Sequence, residues 1–295
     1  PKRDWPKGIK VMDGKGLFLT PGMMDSHVHV SSIPGMGFGI EPMAQRHAAL
    51  AKLYYQQQPR SFLYFGVTQV LDPNPGRHWE QFTSAKVNPD LFRCEVITSK
   101  DTFPLVEKRD EASQAMFPYV VAENVDQQAA DSPEQIVQDI AESGAICIKL
   151  YFEDGYGDAS HWPLLSDETI ERIRIAAKEK PLLIVAHANA VDMYAKAIDA
   201  NVDVIAHGLW NWHEFSRAKE IPKPMAQLLD NLRERKVGYM PDFPGSPSYA
   251  NQPGLTTFLE MKGMANAGIA LRDIMAAATI HNARQFHLDK DYGTI

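Results

Sequence analysis

Residues 21–29 read Pro21-Gly22-Met23-Met24-Asp25-Ser26-His27-Val28-His29. In an extended strand alternate side chains share a face, so this spacing sets Asp25, His27 and His29 on one side and Met24, Ser26 and Val28 on the other. Two imidazoles spaced in this way can chelate one ion without bending the backbone, and imidazole nitrogen is a common ligand of zinc-type ions. A bare His-x-His pair also arises by chance. Here the pair follows a Pro-Gly corner and the apolar run Leu17, Phe18 and Leu19, the setting of a chain entering a core.

Outward from this stretch the chain alternates short apolar segments with helix-like ones, the pattern of repeated βα units around a parallel sheet. The strand candidates are Met23–Val30, Val67–Leu71, Phe92–Ile97, Ile146–Tyr151, Leu182–His187, Val202–His207 and Val237–Met240. Ser132-Pro133-Glu134-Gln135 combines an N-cap, a proline at the first helical position and a capping-box glutamine, and opens a helix that stops at Gly144. Ser166 opens another through Lys178. Further helices are expected over Val191–Ala200, Lys223–Arg235 and Leu255–Ala267. Between Met240 and the Gly-Pro-rich run after Asp242 there is no room for the crossover of about a dozen residues that an eighth parallel strand requires. The expectation is therefore that chain is absent at the Pro241–Asp242 junction; a genuine turn closing a smaller sheet is the alternative.

Composition narrows the function classes. The 295 residues are 44% hydrophobic and 23% charged, with a net charge of −7. No block of Lys or Arg could track a phosphate backbone, so nucleic acid is not expected as a partner. No apolar run reaches the roughly 18 to 20 residues of a membrane-spanning helix, so a soluble chain is expected, cytoplasmic or periplasmic, that acts on a small molecule and leaves room for a homo-oligomer. Cys94 and Cys147 both lie in apolar strand-like segments, and two small buried side chains are expected rather than a disulfide. The chain begins at Pro1, so a targeting segment could have preceded it.

Three further positions carry chemistry. His187 and His207 end consecutive apolar strands, Leu182–His187 and Val202–His207; either alone could be an ordinary hydrogen-bonded histidine, but both would fall at the C-terminal mouth of a barrel. Lys149 interrupts the apolar strand Ala145–Tyr151. Burial lowers an amine pKa, and a neutral amine can react with carbon dioxide to give an anionic carbamate. The alternative is a lysine that snorkels to solvent or pairs with Glu153 or Asp154.

The Pro-Gly-x-x-Asp-x-His-x-His run resembles the first-strand signature of the amidohydrolase superfamily, and the segments Ala186-His187-Ala188 and Ile205-Ala206-His207-Gly208 resemble its prolidase-like branch. The resemblance implies an α/β fold, a (β/α)8 TIM-like barrel over residues 21–284, with remnants of a small β-sandwich at residues 1–20 and 285–295. It also implies two Zn2+ ions held by His27, His29, His187 and His207, bridged by carboxylated Lys149, with Asp242 as a ligand and the proton-shuttling catalytic residue. Asp242 could instead serve only the turn before Pro244 and Gly245. Tyr151, Trp210, His213 and Tyr249 follow strands and are candidate substrate-binding groups, as is His161; His47, His78, His281 and His287 read as structural or surface groups. The implied activity is metal-dependent hydrolysis of a C–N amide bond in a dipeptide or N-acyl amino acid. The alternatives are a mononuclear cyclic-amide hydrolase of the imidazolonepropionase kind, and a non-catalytic assembly protein that retains the barrel.

Overall fold

A computed structural model of the chain describes residues 6–155, 161–240 and 252–295. Among the described residues, eight parallel strands form one curled sheet: β1 (Met23–Asp25), β2 (Val67–Asp72), β3 (Asp90–Thr98), β4 (Tyr119–Val120), β5 (Cys147–Phe152), β6 (Leu183–Ala188), β7 (Val204–Ala206) and β8 (Gly238–Met240). The order is β1-β2-β3-β5-β6-β7-β8, with the short β4 added to the end of β3. Strands therefore pair with their sequence neighbours, as in a TIM-like barrel, and the expected α/β fold class is the one observed. The two ends of the series approach one another, since His27 Nδ1 beside β1 lies 3.4 Å from the Met240 carbonyl of β8.

The strands are apolar on both faces because they are covered on both. On β5, Ile148, Leu150 and Phe152 pack outward against the helices Pro133–Glu142 and Asp167–Lys178, while Cys147 belongs to an inner cluster with Met24, Leu71, Cys94, Val185, Val204, Ala206 and Met240. The first of those helices starts as its sequence dictates: Ser132 accepts from the Gln135 amide, Pro133 occupies the first turn, and Ile136, Val137 and Ile140 face the sheet. Each such side chain gains roughly 1.5–3 kcal/mol on full burial. Ser166 likewise caps Asp167–Lys178 by accepting from the Thr169 amide. The remaining helices also run close to expectation, as Val191–Asp199, Lys223–Glu234 and Leu255–Asn266.

Four expectations need correction or fall elsewhere. The first strand stops at Asp25 rather than Val30, because the Asp25 carboxylate accepts from the His27 amide and turns the chain out of the ladder. Residues 6–20 form no strand, and Leu17, Phe18 and Leu19 are exposed rather than entering a core. Cys94 and Cys147 form a disulfide, contrary to the expectation of two free thiols. They are register partners on adjacent parallel strands, with Cα atoms 4.3 Å apart, a proximity that spacing along the chain does not reveal. The Pro241–Asp242 junction lies outside the described residues. Among the described residues no helix is long and apolar enough to cross a membrane.

Candidate active site

The Pro-Gly corner sets the approach to the site. Gly22 passes so close to β2 that a Cβ there would collide with the Thr68 side chain, so the residue before β1 has to be glycine. β1 then delivers the chain to His27 and His29, which leave the strand but stay together, their ring centroids 5.3 Å apart and nearly perpendicular. Val28 keeps the segment tied to β2 through its amide, which donates to the Leu71 carbonyl at 3.0 Å.

Three other strands bring polar groups to the same mouth. Lys149 and Tyr151 follow Cys147 on the inner face of β5, and His187 follows Val185 on β6 in register with Tyr151. His207 comes directly after β7. The rings of His187 and His207 are 4.3 Å apart and those of His27 and His207 are 4.7 Å apart, so the four histidines form a continuous cluster from β1 to β7. His27, Lys149, His187 and His207 are all buried, Lys149 being only 2% exposed, and the snorkelling alternative for that lysine is therefore excluded. Glu153, one of its two suggested partners, accepts from Asn189 Nδ2 at 2.7 Å and from the Gly155 amide.

His207 has φ of 75°, a left-handed conformation that costs a non-glycine residue on the order of 1–2 kcal/mol. The surroundings hold it there. Its amide donates to the Met240 carbonyl at 2.9 Å, and its carbonyl accepts from the Tyr194 hydroxyl at 2.6 Å. Burial keeps the Tyr194 phenol protonated by raising its pKa, so it remains a donor. The His207 imidazole is held well below its ordinary pKa, first by burial and then by neighbouring His187, Lys149 and His29. It is thus kept in the neutral form, the form that can ligate a metal. A Cβ on Gly208 would meet the Trp210 indole, so glycine allows Trp210 to fold back to within 5.9 Å of the His207 ring.

Several contributing residues lie outside the motifs of the sequence. Asp72, the last residue of β2 and fully buried, accepts from the Val30 and Asn74 amides and lies 3.3 Å from His29 Nδ1. Its position at the end of an apolar strand is the same cue that marked His187 and His207. Asn189 bridges the Glu153 carboxylate and His187 Nε2, at 2.7 and 3.0 Å. Phe103 and Trp162 stack with centroids 4.8 Å apart, and Phe103 reaches 5.9 Å from the His187 ring and 4.9 Å from Tyr151, making an aromatic wall.

The expected substrate groups are divided. Tyr151 lies 5.1 Å from the His187 ring and lines a cavity of about 210 Å³ with His29, Lys149, His187 and His207. Trp210 is half exposed beside His207. His213 is engaged elsewhere, with Nε2 2.7 Å from the Asp192 carboxylate, and His161 is exposed. Asp242 and Tyr249 lie outside the described residues. His78 stacks on Tyr55, and His47, His281 and His287 are exposed, as surface or structural groups should be.

The donor chemistry of this cluster, several neutral-capable imidazoles with a buried amine, suits a divalent ion. Among the described residues, no group of three or more His, Cys, Asp or Glu side chains is arranged to hold a metal ion as the side chains stand. A carbamate on Lys149 would be an additional oxygen ligand of a type outside those four residues.

Neither a family model nor a curated protein matches the chain. Among solved structures it is similar to a prolidase complexed with N-methylphosphonate-L-proline, with 19% identity and a TM-score of 0.67, covering 100% of this chain and 81% of that one. It is also similar to an amidohydrolase, with 21% identity, a TM-score of 0.58 and the same coverage. A molinate hydrolase matches at 13% identity and a TM-score of 0.67, over 93% of this chain and 75% of the other. The chain thus carries a barrel fold shared with hydrolases of the amidohydrolase kind; at these identities the likeness is one of fold.

Proposed function

We propose that this chain is a metal-dependent hydrolase of C–N amide bonds, acting on a dipeptide or N-acyl amino acid. The observation that carries the reading is the convergence of His27, His29, His187 and His207 around buried Lys149, from four places in the sequence, at the C-terminal ends of parallel strands. The names of the structural neighbours favour the same chemistry. His27, His29, His187 and His207, with Lys149 as its carbamate and Asp242, are the residues that would hold two divalent ions. Ions bound there would supply Lewis acidity toward the scissile carbonyl and a water acidic enough to ionise near neutral pH.

The chain's own groups would do the rest. Asp72 and Asn189 fix the orientation of His29 and His187 through their second ring contacts. Tyr151, Phe103 and Trp162 would exclude water from one side of the reacting amide. Asp242 is proposed to accept the proton of the attacking water and return it to the leaving nitrogen.

The test is elemental analysis of the purified chain after reconstitution with zinc, manganese or cobalt, alongside turnover of a panel of dipeptides and N-acyl amino acids. The proposal expects about two divalent ions per chain, cleavage of at least one compound class, and loss of both in Lys149→Ala. A chain that binds no divalent ion and cleaves nothing in the panel would remove the proposal.

A further inference from the structure

Asn74 stands two residues beyond the end of β2 and lines the cavity of about 210 Å³ that His29, Lys149, His187 and His207 also line. It is only 6% exposed, and its side-chain amide makes no hydrogen bond among the described residues. Such an amide carries two donors and an acceptor, and leaving them unpaired in so buried a place is costly unless something other than the protein meets them. Asn74 borders free space rather than packed side chains, since it also lines a second cavity of about 240 Å³.

The backbone that carries this side chain is pinned on both sides. The Asn74 amide donates to Asp72 Oδ1 at 2.8 Å, the oxygen that also lies 3.3 Å from His29 Nδ1, so one carboxylate positions both residues. Beyond Asn74, the Ser31 hydroxyl donates to the Pro75 carbonyl and accepts from the His78 amide at 2.8 Å. Gly76 has φ of 61°, and a Cβ there would strike the Ser31 side chain, so the loop closes tightly on the segment that follows His29. A rigid support carrying an unpaired polar side chain is what preorganised recognition requires.

We propose that Asn74 contacts the substrate, its Nδ2 donating a hydrogen bond to the carbonyl oxygen of the scissile amide that strengthens as this oxygen becomes an oxyanion. The inference rests on the hydrolase reading and deepens it. In that reaction the water oxygen bonds to the carbonyl carbon and the π electron pair moves onto the carbonyl oxygen. The pair returns as the C–N bond breaks, and the nitrogen leaves with its bonding pair and a proton from the water. A neutral side-chain amide suits the oxygen in both states, because it donates without titrating. Asn74 comes from the end of β2, and Tyr151 and His187 from β5 and β6, so a substrate amide held in the cavity lies among all three.

The test is titration calorimetry of the metal-reconstituted chain with two analogues of alanyl-alanine. One is the phosphinate isostere, whose oxygens stand where the oxyanion forms; the other is the reduced isostere, with a methylene in place of the carbonyl and no oxygen there. Asn74→Leu and Asn74→Asp remove the donor at similar size. Each should weaken the phosphinate by about 10- to 100-fold, the scale of one hydrogen bond to a charged acceptor, and leave the reduced isostere unchanged. In turnover of alanyl-alanine, kcat should fall by a similar factor with KM little altered. Bound metal should stay at the level of the unaltered chain, and Asn74→Leu should not lower the melting temperature, since no protein partner is lost; an asparagine with a purely structural role would lower it. Asn74→Ala gives the same comparison if either larger side chain prevents folding. Equal weakening of both analogues, or weakening of neither, overturns the assignment of Asn74 and leaves the hydrolase reading standing. An unaltered chain that binds neither analogue also removes this assignment, and the hydrolase reading falls with it only if no panel compound is cleaved.

Discussion

The buried phenol of Tyr194 donates a 2.6 Å hydrogen bond to the backbone carbonyl of His207, the residue whose left-handed backbone aims its imidazole at His27 and His187. Tyr194 belongs to the helix Val191–Asp199, which follows β6, so the helix of one βα unit holds the backbone of the strand-end histidine of the next. Strained backbone persists only where its surroundings over-determine it. Tyr194→Phe keeps the packing and removes the donor. It should cost about 1–2 kcal/mol in denaturant unfolding and weaken divalent-ion binding. Unchanged stability and unchanged metal affinity would show that the bond does not hold His207 in place.

The two central imidazoles should be inseparable in effect. His187→Asn and His207→Asn each remove a nitrogen donor from a pair whose rings are 4.3 Å apart. Each variant is expected to lose bound metal and about 100-fold or more in kcat/KM against the panel substrate, on the scale of losing a ligand and its orienting contacts. Full metal content in both variants would contradict the proposed site.

Asp72 offers a stability prediction independent of activity. Its carboxylate is fully buried and accepts from the Val30 amide at 2.7 Å and the Asn74 amide at 2.8 Å. Asp72→Ala strands two buried donors and should destabilise the chain by about 2–4 kcal/mol. Asp72→Asn, which retains one acceptor, should cost less. Equal small losses in chemical denaturation would mean that water replaces the carboxylate.

The Cys94–Cys147 disulfide joins β3 to β5 across a separation of 53 residues. Denatured without reductant, the chain should present no thiol to Ellman's reagent, and two after reduction. Cys94→Ser with Cys147→Ser is expected to lower stability by about 2–4 kcal/mol. Two reactive thiols in the unreduced denatured chain would refute the bond.

Acid sensitivity should be visible at one surface pair. Arg172 donates to both carboxylate oxygens of Glu134, joining the helices Asp167–Lys178 and Pro133–Glu142. These hydrogen bonds hold the Glu134 carboxyl below its ordinary value of 4.5, against a smaller opposing effect of burial. A carboxyl lowered on folding contributes stability above its unfolded pKa and loses it as pH falls through the folded one. Arg172→Met should therefore lower the melting temperature at pH 7, by the equivalent of about 1 kcal/mol or less at this solvent-screened, partly exposed site. The difference from the unaltered chain should shrink below pH 4.5. A difference that does not change with pH would assign the effect to packing.

Much of the architecture was legible in sequence because it rests on local rules. The caps at Ser132 and Ser166 and the apolar strands of β5 and β6 appear within a residue or two of expectation. Local rules failed where a side chain overruled a pattern, as when Asp25 captured the His27 amide and ended β1. They failed again where pairing across the sheet decided the outcome, as for Cys94 and Cys147. Asn189 carried no motif, since its importance comes only from what faces it, and Asp72 offered only its place at the end of an apolar strand.

The sequence by itself determined that strands would alternate with helices, that His187 and His207 would stand at strand ends and that Lys149 would interrupt an apolar strand, because side-chain periodicity and strand polarity are properties of the local chain. Only the tertiary structure decided that these ends meet, that His207 would turn through a left-handed backbone, and that Asn74 would share a cavity with them. Those relations depend on the curl of the sheet and on contacts between residues tens to hundreds of positions apart, which no local pattern encodes.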